Sequence, residues 1–563
     1  MNTNFFKPAE LTETNSNCFL FWWMLFLILA QLWLVEAQDF VATYTPHDDY
    51  LFVKLAKHIL SGAWLGPYDQ VTLIKGPIYP LFIAVAHHTG MPLLLVQHLL
   101  YSAICILATM ALRPLVKGQW LFMLIFFLLL FNPFTYSYPG TGRAFRFGLS
   151  MPLVLALFSC MGGLLLRVKY SLKNKISWSI ATSLIFSLLW YTREEGIWIL
   201  PSLALFVFCF LLLGSQITFT KVLTRFFILL PIPLVFIAFT TTFSHLNQKY
   251  YGAPDIIEIK SPEFQSALGG LMNIDIAKSK RYIPVNQENQ NAAYAVSPTF
   301  KQLQPYFEES KKGAQLPESF YIWVLRDMVR KSGNANSLPE ALDFYGKMGA
   351  EINAACEAGT ISCLNRKATI KPVWRAEYIP LIPATFWDIF KQAISFRTAH
   401  FSENEYSKWK TTGSKEMVED YRFVTREKLV PGHWHHIQAY PKYYMHMIVE
   451  KFRILSDIGK GYNKIIPLFF VLSLLVHLAF LVRSIRSRQL DFASMFGLIT
   501  LGGIISLVSI LTYIKITLWP INRPLFSAYP LVLYYISTMA VFSYLFLQKR
   551  FKQTNNKKRI VES

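Results

Sequence analysis

Charge is scarce in this chain. Asp, Glu, Lys and Arg together make up 16% of 563 residues, against about 25% in an ordinary soluble domain, which argues against a soluble globular fold. Disordered chains are poor in aromatic residues, and a 16% share of Phe, Trp and Tyr argues against that class too. Negative charge is the scarcer sign, with 34 acidic residues facing 55 basic ones. No Walker P-loop, dinucleotide-binding glycine fingerprint or Gly-x-Ser-x-Gly elbow occurs, so nucleotide-driven transport and serine hydrolysis lose their usual signatures. No Asn-x-Ser/Thr acceptor occurs either, which favours a bacterial periplasm over an endoplasmic-reticulum lumen. Internal repeats and low-complexity tracts are absent as well.

What the chain has instead is apolar length. Hydrophobic residues make up 53% of it, the mean hydropathy is +0.33, and the composition is that of a membrane protein. A helical span needs about 20 mostly apolar residues to cross a hydrocarbon core about 30 Å thick. Runs of that kind occur at 18–35, 92–112, 120–136, 147–166, 176–191, 197–213, 226–243, 465–482, 492–513 and 525–547. The first ends in Val35-Glu36-Ala37, loosely like a signal-peptidase site, but the run is long and only Lys7 precedes it as a basic residue, so an uncleaved anchor is expected. The segment 78–86 is too short to span and reads as re-entrant or interfacial.

The net charge of +21 would elsewhere suggest a nucleic-acid partner, but its placement reads as topology. Arg113, Lys117, Arg167, Lys169, Lys173, Lys175, Lys221, Arg225, Arg483, Arg486 and Arg488 lie in short gaps between apolar runs. Lys549, Arg550, Lys552, Lys557, Lys558 and Arg559 follow in the tail. With the N-terminus inside, ten crossings put all of these gaps in the cytoplasm, as the positive-inside rule requires. The expected organisation is a transmembrane core over 1–243 with an outer loop at 37–91, an extracytoplasmic insert over 244–464, transmembrane helices over 465–547 and a basic tail over 548–563.

The insert is polar, punctuated by Pro and Gly, and mainly helical in pattern, and it is large enough to bury its own core. Its only cysteines, Cys356 and Cys363, suggest a disulfide in an oxidising compartment, with two unpaired thiols as the alternative. In the first outer loop, Thr45, Pro46 and Asp48 fit a helix start, with Thr45 as N-cap. Phe52, Leu55, Ala56, Ile59 and Leu60 continue it as one apolar face. Asp48 then reads either as a capping acid or as a functional one, and Asp49 either as a solvated first-turn acid or as a partner in chemistry.

These motifs occur in a recognisable order. An acidic pair opens an amphipathic helix after the first span, then come Gly62, Lys75-Gly76-Pro77 and Tyr79-Pro80-Leu81. Thr192-Arg193-Glu194-Glu195-Gly196 stands at the outer end of a helix pair, and Asn522-Arg523-Pro524 through Pro530 opens the last span. The order resembles the GT-C membrane glycosyltransferases, and within them the branch of protein O-mannosyltransferases and lipid A aminoarabinose transferases. The resemblance covers about the first 245 residues and the last span. The branch often has Lys-Pro-Pro where this chain has Lys75-Gly76-Pro77.

The resemblance implies an all-α polytopic membrane protein with a GT-C-like core, about ten transmembrane helices and a mainly helical extracytoplasmic insert. It implies inverting transfer of a hexosyl or pentosyl group from a polyprenyl-phosphate carrier to an extracytoplasmic lipid, glycan or protein acceptor. The base would be Asp48 or Asp49, without distinction between them. Lys75, Arg143, Arg146, Arg193 and Arg523 would meet the lipid phosphate, because cations, and guanidinium groups above all, bind phosphate oxygens well. Glu195 joins them as a substrate-site residue. Each cation also has a plainer reading: Arg143 and Arg146 as headgroup anchors, Lys75 as a snorkelling side chain, and Arg193 as partner of Glu194 or Glu195. No cofactor, no divalent metal and no nucleic acid is expected, and His433-Trp434-His435-His436 reads as surface or packing. The expected location is a bacterial inner membrane, with the site facing the periplasm. A secondary transporter or lipid flippase, and a non-catalytic envelope assembly protein, are the alternatives.

Overall fold

A computed structural model describes residues 14–45, 47–116, 118–137, 141–212, 218–276, 281–313, 321–396, 410–429, 442–518 and 523–561. Among them the regular elements are helices, and β-pairing is confined to two isolated bridges, Phe40 with Leu429 and Ile274 with Cys363. The helices are α1 (Thr14–Val35), α2 (Asp49–Leu60), α3 (Ile78–His88), α4 (Leu93–Ala111), α5 (Gln119–Leu130), α6 (Phe147–Leu166), α7 (Leu172–Trp190), α8 (Leu200–Leu211), α9 (Phe219–Leu229) and α10 (Pro231–Tyr251). In the insert follow α11 (Pro262–Asn273), α12 (Gln287–Val296), α13 (Pro298–Lys301), α14 (Gln304–Gly313), α15 (Tyr321–Lys331), α16 (Leu338–Glu357), α17 (Ile382–Ser395) and α18 (Lys415–Thr425). The chain closes with α19 (Lys442–Ser487), α20 (Phe492–Thr517) and α21 (Ala528–Val561).

Among the described residues, seven helical segments are long and apolar enough to cross a membrane: Cys18–Val35, Leu93–Ala111, Phe147–Leu166, Phe219–Tyr251, His446–Ser487, Phe492–Thr517 and Leu525–Phe551. The chain is an integral membrane protein. The other three runs of the sequence reading are also helical but differ in kind. Gln119–Thr135 and Gly196–Leu211 are shorter apolar helices, and α7 is diluted along its length by Lys173, Asn174, Lys175 and five Ser or Thr residues. The helix α3 has 11 residues. At 1.5 Å per residue it extends about 16 Å, half of a bilayer core.

The two ends of these helices differ in what they carry. The Arg167 guanidinium, at the C-terminal end of α6, donates to the carbonyls of Met110, Ala111 and Gly163, so the ends of α4 and α6 that carry Arg113 and Arg167 lie together. The opposite end of α6 begins at Arg146, and α7 returns to that end at Thr192 and Arg193. Basic gaps therefore gather at one end of these helices and the outer-loop motifs at the other.

The insert divides into two parts by packing. Phe264, Leu268, Leu271, Phe300, Leu325, Met328, Tyr345, Met348 and Ile352 belong to a core of its own, built from α11 to α16. Cys356 and Cys363 are joined by a disulfide at the edge of this part. By contrast, Ile389, Ala393 and Phe396 of the α17 segment, and Met417, Val418, Tyr421 and Val424 of α18, belong to the same core as the membrane helices. Position 464 lies within α19, so the chain passes from the insert into the membrane helix without a break.

Candidate active site

The site is built where the first outer loop meets the outer ends of α6 and α7. Its first component is the start of α2. The helix begins at Asp49, later than the sequence spacing predicts, and Asp48 is the N-cap residue without making a side-chain cap. The Thr45 hydroxyl accepts from the Asp49 N–H at 3.1 Å and so does the capping itself. Pro46 lies outside the described residues. With the helix end satisfied by Thr45, the Asp48 carboxylate is left to ion-pair with the Lys75 ammonium.

Asp49 points the other way. Its side chain is fully buried, accepts from the Thr43 hydroxyl at 2.5 Å and pairs with Arg143 Nε at 2.5 Å, while its second oxygen, Oδ1, has no hydrogen-bond partner. The segment carrying Thr43 is held by two hydrogen bonds: Val41 N–H donates to the Gly142 carbonyl at 2.9 Å, and the Tyr421 hydroxyl of α18 donates to the Thr43 carbonyl at 3.1 Å. Packing of α18 thus reaches Asp49 through Thr43.

Lys75 arrives by a tightly shaped turn. Gly76 approaches the Tyr191 carbonyl so closely that a Cβ there would lie 1.9 Å from its oxygen. Its N–H donates to Glu194 Oε1 at 3.2 Å. A proline at 76 would lack both the room and the donor, which accounts physically for the departure from Lys-Pro-Pro. The Lys75 ammonium lies 5.1 Å from the ring centre of Phe52 and 5.8 Å from that of Trp323, on α15 of the insert. The His47 ring sits 4.3 Å from the Trp323 ring.

The α6–α7 side supplies two more cations. Arg146 pairs with Glu194, donates to the Thr192 carbonyl at 3.2 Å and lies 5.4 Å over the Phe52 ring. Its Nε has no hydrogen-bond partner. Arg193 pairs with Glu195 and packs 4.8 Å over Phe147. Arg193, Glu195 and Ser527 line one small cavity, which brings the Thr192–Gly196 motif beside the turn that opens the last helix. Arg523 begins that turn, the 3-10 helix Arg523–Ser527, and its side chain lies outside the described residues. Residues 430–441, which include His433, His435 and His436, lie outside them too.

Electrostatics separate the two aspartates. Burial pushes the Asp48 carboxyl up, but Lys75, Arg146 and Arg143 outweigh it and hold the group below the usual carboxylate range. Burial dominates at Asp49 and raises it, despite Arg143 and the Thr43 hydroxyl. Burial and the neighbouring Arg146 lower Lys75, against the pull of Asp48 and Glu194. Burial raises Glu194 less than Arg146 and Lys75 lower it, so it stays ionised. Asp48 is also the reachable acid, with its side chain 40% exposed where that of Asp49 is 0%.

The structure thus gathers Asp48, Asp49, Lys75, Arg143, Arg146, Arg193 and Glu195 into one cluster. Sequence reasoning missed Glu194, His47 and Trp323. Glu194 stands in a quoted motif, but nothing local distinguishes it from Glu195, and Trp323 reaches the site only because α15 folds over the loop. Among the described residues, no group of three or more His, Cys, Asp or Glu side chains is placed to hold a metal ion.

No family model matches the chain, and no curated protein matches it. Solved structures do. The oligosaccharyltransferase of Archaeoglobus fulgidus in its apo form is 12% identical, with 96% of this chain and 52% of that one covered and a TM-score of 0.41. The archaeal oligosaccharyltransferase AglB from the same organism, in complex with an inhibitory peptide and a dolichol-phosphate, is 11% identical, with 97% and 52% covered and a TM-score of 0.43. ArnT from Cupriavidus metallidurans bound to undecaprenyl phosphate is 10% identical, with 93% and 78% covered and a TM-score of 0.32. The chain spans about half the length of the oligosaccharyltransferases to which it is similar.

Proposed function

We propose that this chain is a GT-C-type membrane glycosyltransferase that moves a sugar from a polyprenyl-phosphate carrier to an acceptor hydroxyl on the side of the membrane that bears the insert. The observation that carries this reading is a partly exposed carboxylate, Asp48, held ionised against a buried ammonium, with Arg143 and Arg146 close enough to act on it. A sugar phosphate donor asks for that combination: positive charge to stabilise the departing phosphate and a nearby base for the acceptor proton. Undecaprenyl phosphate and dolichol-phosphate, named with the solved structures above, are carriers of this class.

In the proposed reaction the acceptor oxygen bonds to the anomeric carbon as the bond from that carbon to the phosphate oxygen breaks. The electron pair leaves with polyprenyl phosphate, the acceptor proton passes to Asp48, and the configuration inverts. Lys75 is the switch in this scheme. Donor phosphate competes with Asp48 for the ammonium, so loading the donor frees the carboxylate and raises its basicity when it is needed. Asp49 is a positioning residue, since Thr43 and Arg143 occupy one of its oxygens and no solvent reaches it. Every carboxylate in the cluster faces a cation, so the site has no surplus negative charge for a dication, and transfer is metal-independent in this reading.

The test uses the full chain in nanodiscs with a panel of polyprenyl-phosphate hexoses and pentoses, an acceptor extract from the membrane of origin, and chelator present or absent. Release of free polyprenyl phosphate from at least one donor, unaffected by chelator, is expected. Ion-gradient-driven accumulation of a solute by vesicles bearing the protein, with no release from any donor, would replace this reading with a transporter.

A further inference from the structure

A second concentration of charge lies away from the acidic pair and shares no residue with it. A cleft of about 590 Å³ opens between the C-terminal end of α3 and the residues that follow α18, and Arg422, Arg426, Lys428, His87, Glu427 and Phe423 line it. Arg422, Arg426 and Lys428 are exposed, and no carboxylate pairs with any of them among the described residues. Glu427 is the one acid in the lining, and it is already engaged, accepting from the Leu94 N–H at 2.5 Å in the first turn of α4.

The cleft is built rather than incidental. Arg426 holds a left-handed backbone at φ +56°, a conformation that costs a non-glycine residue about 1 to 2 kcal/mol. There its Nε donates to the His87 carbonyl at 2.9 Å, and its guanidinium lies 3.3 Å from His87 Nε2. His87 Nδ1 lies 3.3 Å from the Val424 carbonyl, and its ring packs 5.0 Å from that of Phe423. The left-handed turn that ends α18, with the Arg426 N–H bonded to the Arg422 carbonyl at 3.0 Å, thus sets one guanidinium along the same wall as two unpaired cations.

Place identifies the occupant. Glu427 sits on the N-terminal end of α4, a membrane-spanning helix, so the cleft lies at the level where lipid headgroups begin. Phe423, 55% exposed beside the three cations, supplies the apolar contact a lipid offers and a free ion lacks. Unpaired arginines suit phosphate oxygens, and basic side chains at a membrane surface attract anionic lipids. We propose that this cleft binds the phosphate headgroup of an anionic phospholipid in the leaflet facing the insert, tying the end of α18 to the membrane.

The test is saturable binding of labelled phosphatidylglycerol to the full chain in neutral detergent, with phosphatidylcholine as the control lipid. Arg422→Gln/Lys428→Gln, which leaves the His87 contacts of Arg426 intact, should weaken binding about 10-fold. Adding Arg426→Gln should abolish it, while the thermal midpoint of the double variant stays at the parent value. Unchanged phosphatidylglycerol binding in the double variant would overturn the site. Equal competition by millimolar inorganic phosphate would reassign it to a free anion. Capture of polyprenyl phosphate without phosphatidylglycerol would reassign it to the sugar carrier.

Discussion

Two buried clusters of opposite charge lie in the outer layer of this protein, and they are built to different ends. In one, Glu258 and Arg326 are both fully buried and leave nothing unsatisfied: Arg326 Nε meets Glu258 Oε1 at 2.9 Å, one terminal nitrogen meets Oε2 at 2.5 Å, and the Tyr68 hydroxyl donates to the same carboxylate at 2.8 Å. The Arg326 guanidinium also donates to the Gln70 and Thr72 carbonyls. In the other, around Asp48, the acid is partly exposed, and Asp49 Oδ1 and Arg146 Nε are buried without partners. A buried polar atom left unpaired costs about 1 to 3 kcal/mol. The first cluster, a structural knot, satisfies its own polar atoms; the second leaves two of them open, as the proposed substrate site would require.

The two clusters are also connected. The knot grips residues 68–72, and the Glu258 N–H donates to the Leu73 carbonyl at 2.8 Å, where the backbone takes a positive φ of 58°. Lys75 follows two residues later. The insert therefore shapes the turn that delivers the ammonium to Asp48, through Arg326 on the same helix that supplies Trp323.

Breaking each cluster should separate the roles. Glu194→Gln removes the carboxylate between Arg146 and Lys75. Transfer should fall by about 100-fold, measured as polyprenyl phosphate release per folded molecule. Glu258→Gln leaves Arg326 buried without a counter-charge, and thermal or denaturant unfolding should show a loss of about 3 to 5 kcal/mol. Transfer by its folded fraction should fall less than in Glu194→Gln, because the knot acts only through the turn that carries Lys75 and touches no substrate in this account. Gly76→Ala forces a methyl group against the Tyr191 carbonyl and should cost about 1 to 3 kcal/mol, with transfer reduced because Lys75 moves with the turn.

The smallest effect sharpens the comparison most finely. Cations hold Asp48 below the usual carboxylate range in the donor-free protein, so the ionised form persists as pH falls and the acid limb of kcat/KM, which reports the free enzyme, should lie below the ordinary value near 4. Lys75→Gln removes one of those cations. The Asp48 pKa then rises, and the acid limb should move to higher pH by about one unit or more, read from the pH profile of the residual rate.

Much of this was legible in the sequence because it rests on local physics. Apolar length marks the spans, basic gaps mark one face, and residues placed on outer helix ends, such as Asp48, Arg146 and Arg193, meet because those ends are gathered by packing. Other features depend on contacts distant in sequence. The start of α2 was misplaced because Thr45 caps the Asp49 N–H, four residues on, and frees Asp48. Glu194 and Glu195 look alike until the turn at Tyr191 aims one at Gly76 and Arg146 and the other at Arg193. Trp323 and the knot at Arg326 come from an insert whose polar, amphipathic helices carry no mark of what they will cover. The division of the insert is illegible in sequence for the same reason, since α17 and α18 bury modest apolar faces against membrane helices.

The most direct test of the account is the rate of sugar transfer by Asp48→Asn in nanodiscs, with the thermal midpoint measured on the same sample. Asn is close in shape and leaves the Thr45 cap untouched, but it leaves the buried Lys75 ammonium without its nearest counter-charge, so the account predicts a folded protein with a lowered midpoint and a loss of about 10³-fold in rate per folded molecule. A folded Asp48→Asn protein that transfers sugar at the parental rate would contradict it.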